Sequence, residues 1–144
     1  MSAADDRDEI RSLIHAYARR IDSGDLDGVA DLFAHARLIT GDGQVFSGRE
    51  TLRTLWNGVV MYDGVPRTHH LITNIDVVID TGGTTASAHS YVTVIQATPA
   101  LQLQMVAANR HEDRFEKVDG HWRFTERRDC PELTGDLSHH FQTG

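Results

Sequence analysis

The hydrophobic period of the chain changes near Pro66, and that change limits the folds open to it. Ahead of Pro66 the apolar residues recur at helical spacing, with Ile10, Leu13, Ile14, Tyr17 and Ile21 forming one i, i+3, i+4, i+7 stripe between Asp5 and Ile21. Asp5, Asp6 and Asp8 crowd the start of that helix, where carboxylates suit the helix dipole. The run DSGD at 22–25 interrupts the pattern, and Leu26, Val29, Leu32 and Phe33 then predict a second, short helix. RLIT and QVFSG, at 37–40 and 44–48, flank a turn-forming GDG and predict two short strands. GRETLRTLWNGV predicts a third helix that buries Leu52, Leu55, Trp56 and Val59.

Beyond Pro66 the pattern is that of long strands. THHLITNIDVVID, TTASAHSYVTVIQAT, LQLQMVAANRHEDRFEKV and HWRFTERRD are separated by TGG, by Pro99 and by the hairpin signal Asp119-Gly120. Helices followed by a four-strand antiparallel meander predict an α+β fold. No repeat or linker divides the chain, so residues 1–144 read as one domain, with 131–144 as a polar tail partly draped over its body.

Composition narrows the function classes. A formal charge of −7 disfavours nucleic acid or an anionic membrane as partner, since both reward clustered Lys and Arg. The single Cys130 has no disulfide partner within the chain, and acidic residues stand where a signal peptide carries basic ones. No apolar run approaches the ~20 residues needed to span a bilayer. The expected setting is the cytoplasm.

Candidate site residues emerge where alternation fails. In the third long strand Leu103, Met105, Ala107 and Phe115 share one parity, and Asn109, His111 and Asp113 fall on the same parity. Three polar side chains in a row thus point toward the expected core, where an unpartnered polar group costs on the order of 1–3 kcal/mol. His89 and Tyr91 give the preceding strand a similar mixture, and together these groups suggest the polar floor of a pocket. Either they line a ligand site, or they satisfy one another, or the sheet bends and turns them to water. The spacing of His111 and Asp113 would also suit two metal ligands on one strand, but no second pair with ligand spacing accompanies it. Neither a metal nor an organic cofactor is expected.

Several local patterns together resemble the SnoaL-like proteins of the NTF2-like superfamily. LIHAYARRIDSGDLDGVADLFA is similar to their opening helix, turn and helix; THHLITN to their T-x-H-x-I-T-N strand; and DRFEKVDGHWRFTERR to their closing hairpin. The resemblance implies a cone in which helices cover a strongly curved sheet. It is nearest to the scytalone dehydratase, bile-acid 7α-dehydratase and hexachlorocyclohexane dehydrochlorinase branch. It implies an Asp closing the first helix, Asp22, paired with a His on the first long strand, His70. Tyr17 and Arg127 match further catalytic positions of single members.

Strict alternation conflicts with this assignment, because it groups His69 with Leu71, Ile75, Val77 and Ile79. The resemblance selects His70 and leaves His69 at the rim. Arg127 shares its parity with Arg123 and Thr125, opposite Trp122 and Phe124, which predicts an exposed side chain unless the resemblance prevails. Tyr17 lies on the apolar stripe and Asp22 in a turn, so core and solvated roles compete with the catalytic ones. His15, His35, His121, His139 and His140 are expected at the surface.

The resemblance implies a cofactor-independent lyase or isomerase that acts on a small, hydrophobic, oxygenated molecule, with His70 as base. The alternative is a non-catalytic binding or assembly subunit of the same fold, resembling the small subunit of ring-hydroxylating dioxygenases. Either way a homo-oligomer, dimer or trimer, is expected.

Overall fold

A computed structural model of the chain describes residues 2–142. Helix α1 (Ala3–Asp22) opens with a capping box in which the Ser2 hydroxyl accepts the Asp5 backbone N–H and the Asp5 carboxylate accepts that of Ser2. Its apolar stripe buries Ile10, Ile14, Ala18 and Ile21. Each isoleucine removed from water contributes about 1.5–3 kcal/mol. Asp6, expected only to complement the dipole, is itself buried and accepts hydrogen bonds from Trp122 Nε1 at 2.9 Å and Lys117 Nζ at 3.0 Å. It ties the start of α1 to the far hairpin.

Helix α2 (Leu26–Leu32), strands β1 (Arg37–Ile39) and β2 (Val45–Ser47), and helix α3 (Arg49–Leu55) follow. A 3-10 turn over Trp56–Gly58 ends the third helix earlier than the pattern predicts, and Leu55 is exposed. The four long strands are β3 (Thr68–Ile79), β4 (Thr85–Thr98), β5 (Leu101–Val118) and β6 (His121–Thr134). They form one mixed sheet in the order β2-β1-β6-β5-β4-β3. All neighbours are antiparallel except β1 and β6. The α+β architecture and the four-strand meander agree with the sequence reading.

The helices pack on the inner face of the sheet. Phe33 from the end of α2 packs at a tilt against Phe124 at 4.5 Å, and Phe124 meets Phe115 at 4.6 Å, so adjacent strands and the helical layer share one aromatic core. The remaining inner space lies between α1, the middle of β4–β6 and the C-terminal segment.

Bulges decide which residues face that space. On β3 two residues, Asn74 and Ile75, oppose the single Ser90 of β4, and Asn74 adopts a left-handed backbone at φ 53°. On β5 Val106 is the extra residue opposite Val94 and Ile95, and on β6 Thr125 is the extra one opposite Arg114 and Phe115. Each insertion flips the parity of the residues beyond it. Residues 102–105, on the far side of Val106, are exposed on both parities, so Leu103 and Met105 are exposed, contrary to the uniform alternation expected for β5. β6 runs through Pro131 to Thr134, so the start of the expected tail is strand. Pro131 sits at an irregularity in the β5–β6 pairing, where the Asn109 side-chain oxygen accepts the Glu132 N–H at 3.0 Å in place of a ladder bond. Residues 143 and 144 of that tail lie outside the described residues.

Candidate active site

Asp22 is the last residue of α1, and the chain returns from α3 to start β3 directly beside it. One Asp22 oxygen accepts the Thr68 hydroxyl at 2.8 Å and the His70 ring Nδ1 at 2.6 Å; the other accepts the His70 backbone N–H at 2.8 Å. An ionised carboxylate only accepts, so Nδ1 carries a ring proton, and in the neutral ring it is Nε2 that holds the lone pair. Burial raises the Asp22 pKa, but the hydrogen bonds and charge of His70 outweigh it and the net shift is downward. The dyad therefore rests with Asp22 as the anion.

The bulge at Asn74 resolves the competition between the two histidines. Thr68, His70 and Ile72 face inward ahead of it, and Ile75, Val77 and Ile79 face inward after it. The parity that joins His69 to Ile75 is broken between them. His69 is exposed on the outer side.

His70 lines a cavity of about 240 Å³ together with Tyr17, Val92, Asn109, His111 and His140. The Tyr17 ring stands edge-on to both His70 and His111, with centroids 5.7 and 5.9 Å away. Burial pushes the Tyr17 hydroxyl pKa up, so it stays protonated and able to donate. A broader groove of about 960 Å³ runs along α1 and the β3–β4 edge, lined by His69, Leu71, Ile95 and Leu103. His70 borders both spaces and Asp22 the larger one, whereas Tyr17 and His140, the ring neighbours of His70, line the smaller one.

Four expected residues stand elsewhere. His89 and Tyr91 are exposed, because Ser90 and Val92 take the inward parity of β4. Arg127 is buried, opposite to the alternation of β6, because the extra Thr125 turns it inward. It is nevertheless absent from the cavity wall. Its Nε and Nη2 donate to the two oxygens of Asp113 at 2.8 and 3.0 Å, and its guanidinium lies 4.6 Å from the Tyr17 ring centre. Asp113 is consumed by this pair. The two residues form a charged layer behind Tyr17 instead of the direct ligand contacts expected of them.

Sequence reasoning missed two residues. Asp129, inward on β6 because of the Thr125 bulge, lies 3.1 Å from His111 Nε2. Burial raises its pKa, but the hydrogen bond and charge of His111 and the charge of Arg127 pull it down on balance. His140, expected at the surface, is buried with its ring 5.8 Å from that of His70. Burial and the neighbouring His70 charge push its pKa down to about 4. The C-terminal segment is held there by Tyr62 and Gln96 side chains donating to the His139 carbonyl and by the Val60 N–H donating to that of His140. Apolar residues at Leu137 and Phe141 were the only sequence signal that this segment packs. Among the described residues no cluster of three or more His, Cys, Asp or Glu has metal-binding geometry, and no helix is long and apolar enough to cross a membrane.

Comparison with known proteins supports the resemblance. A point variant of Rv3472, a function-unknown protein from Mycobacterium tuberculosis, superposes with a TM-score of 0.74 at 28% identity, over 92% of this chain and 77% of that one. A putative scytalone dehydratase from Novosphingobium aromaticivorans matches at 0.76 and 21% identity, over 92% and 88% of the two chains. LinA matches at 0.75 and 20%, over 98% and 96%. No functionally curated protein matches the chain. The model of the SnoaL-like domain matches residues 2–128, and the chain belongs to that family.

Proposed function

We propose that the protein is a cofactor-independent lyase or isomerase in which His70, oriented by Asp22, removes a proton from a carbon next to a carbonyl of a small hydrophobic molecule. The observation that supports this reading is the 2.6 Å contact between Asp22 and His70 Nδ1, which leaves Nε2 as the basic atom beside the cavity. Opposite charges about 4 Å apart at an effective dielectric near 20 attract by roughly 4 kcal/mol, so Asp22 favours the imidazolium as it forms. A positioned base contributes typically about 10²–10⁴-fold in rate. Tyr17, uncharged and edge-on to His70, supplies a hydroxyl that can donate to a developing enolate oxygen. Arg127 acts through Tyr17, against whose ring it rests.

The step balances without a cofactor. The carbon–hydrogen pair becomes an enolate, the proton moves to Nε2, and it returns to carbon or the enolate expels a β-substituent. The likeness to a putative scytalone dehydratase is consistent with this chemistry. The outer sheet face, where Leu71, Tyr91, Leu103 and Met105 are exposed, is the surface that would be covered in a homo-oligomer, dimer or trimer.

Deuterium exchange into 2-tetralone, a compact enolisable ketone, tests the base. The wild-type protein in D₂O is expected to label the carbon next to the carbonyl, read by NMR, and His70→Ala to fall to the buffer rate. Equal rates would leave the non-catalytic binding role.

A further inference from the structure

The cavity holds a second carboxylate–imidazole pair that the proton-abstraction mechanism does not use. His111 on β5 is buried, and its Nε2 lies 3.1 Å from Asp129 of β6. Asp129 is an anion and can only accept, so Nε2 carries the proton and Nδ1 is left with a lone pair. That Nδ1 has no hydrogen-bond partner among the described residues, although it is buried. Burial and the Arg127 charge push the His111 pKa down, which keeps the ring neutral and the lone pair available. A buried acceptor without a donor is destabilising, and an incoming donor recovers that loss.

We propose that the His111–Asp129 pair is a recognition element that accepts a hydrogen bond from a hydroxyl of the bound molecule, so that the cavity selects hydroxylated compounds over ethers and hydrocarbons of the same shape. His111 is the group that touches the ligand. Asp129 is a positioning residue, which fixes the tautomer of the ring. The inference is independent of whether His70 abstracts a proton, because it concerns binding. It also explains why two similar pairs flank one tyrosine: the lone pair of His70 faces carbon chemistry, and that of His111 faces an O–H. A site built to bond a hydroxyl discriminates strongly against the analogue lacking it, since the buried partner is then left empty.

The test compares 2-naphthol with 2-methoxynaphthalene, whose oxygen accepts but cannot donate. Calorimetry with the wild-type protein is expected to show 2-naphthol binding at least about tenfold more tightly, the worth of one buried hydrogen bond. Nitrogen-15 NMR of the histidine rings is expected to show His111 protonated on Nε2 alone. Asp129→Asn presents an amide N–H to Nε2, which moves the proton to Nδ1. The preference for the naphthol should then vanish or reverse, with the tautomer visibly exchanged. His111→Phe keeps the ring volume and should abolish the preference without any change of tautomer elsewhere. Equal affinities, no binding of 2-naphthol, a wild-type His111 protonated on Nδ1, or a preference that survives in both variants would each overturn the proposal.

Discussion

Asp22 accepts hydrogen bonds from both the ring Nδ1 and the backbone N–H of His70, so a single carboxylate fixes where β3 begins and how its histidine is turned. Asp22→Asn separates these roles. The amide oxygen still serves the backbone N–H, but the amide N–H group competes for Nδ1 and moves the ring proton to Nε2. Loss of the basic nitrogen should lower the exchange rate by roughly 10²–10⁴-fold, as expected for a base held in the wrong tautomer. The melting temperature should fall only by the share that the ionised carboxylate contributes to the fold, with the variant still fully folded at the assay temperature. An unchanged exchange rate in D₂O would remove Asp22 from the mechanism.

Stability should fall on acidification in two stages. The folded pKa of His140 is depressed to about 4 by burial and by the charge of His70, whereas an unfolded histidine titrates near 6.5. Between those values the unfolded chain binds more protons, so stability declines as pH falls from about 6.5 to about 4, by up to about 3 kcal/mol from this group. Asp22 and Asp129 have folded pKa values below the usual carboxylate range, each despite burial, and their contribution is lost below about pH 4. Melting curves of the wild-type protein and His140→Phe test the first stage. The variant should show a flatter profile between pH 6.5 and 4, and parallel profiles would contradict it.

The order of elements was legible because period and turn chemistry are local. The carboxylates at the start of α1, the stripe through Ile10 and Ile14, and the Asp119-Gly120 hairpin all act within a few residues. Facing was less legible, because parity must be carried along strands of 12–18 residues and one extra residue inverts it. Val106 has no feature that marks a bulge, and beyond it residues 102–105, Leu103 and Met105 among them, are exposed on both parities. Thr125 is equally unmarked, and it decides that Arg127 and Asp129 point inward. The family resemblance selected His70 where alternation selected His69, since a motif records the bulge that alternation ignores. His140 was illegible for another reason: its burial depends on Gln96 and Tyr62, distant in sequence, holding the segment in place.

Arg127 and Asp113 provide a stability prediction that separates a buried pair from its parts. Both side chains are almost wholly inaccessible, and Arg127 is enclosed by the Tyr17, Phe33 and Phe124 rings. Asp113→Ala leaves the guanidinium without its counter-charge and should cost about 3–5 kcal/mol. Combining it with Arg127→Met removes both charges and should recover most of that loss, because a buried ion pair is often no better than an apolar replacement. Urea denaturation of the two single variants and the double variant measures the coupling. Additive losses would mean that the pair does not act as a unit.

Asn74 is where backbone conformation and site geometry meet. Its left-handed φ of 53° lets two residues of β3 oppose Ser90, so that His70 and Ile75 face inward at once. Asparagine tolerates this conformation, glycine adopts it freely, and a β-branched residue resists it by roughly 1–2 kcal/mol. Asn74→Gly should therefore leave the urea midpoint within the equivalent of about 0.5 kcal/mol, and Asn74→Val should lower stability by at least about 1 kcal/mol. Where the valine variant folds by losing the bulge, β3 slips by one residue and either His70 or Ile75 turns outward. The Asp22–His70 contact then weakens, which the ring nitrogen shifts of His70 report directly. Equal stability of the glycine and valine variants, with unchanged His70 shifts, would show that the bulge does not depend on the residue at 74.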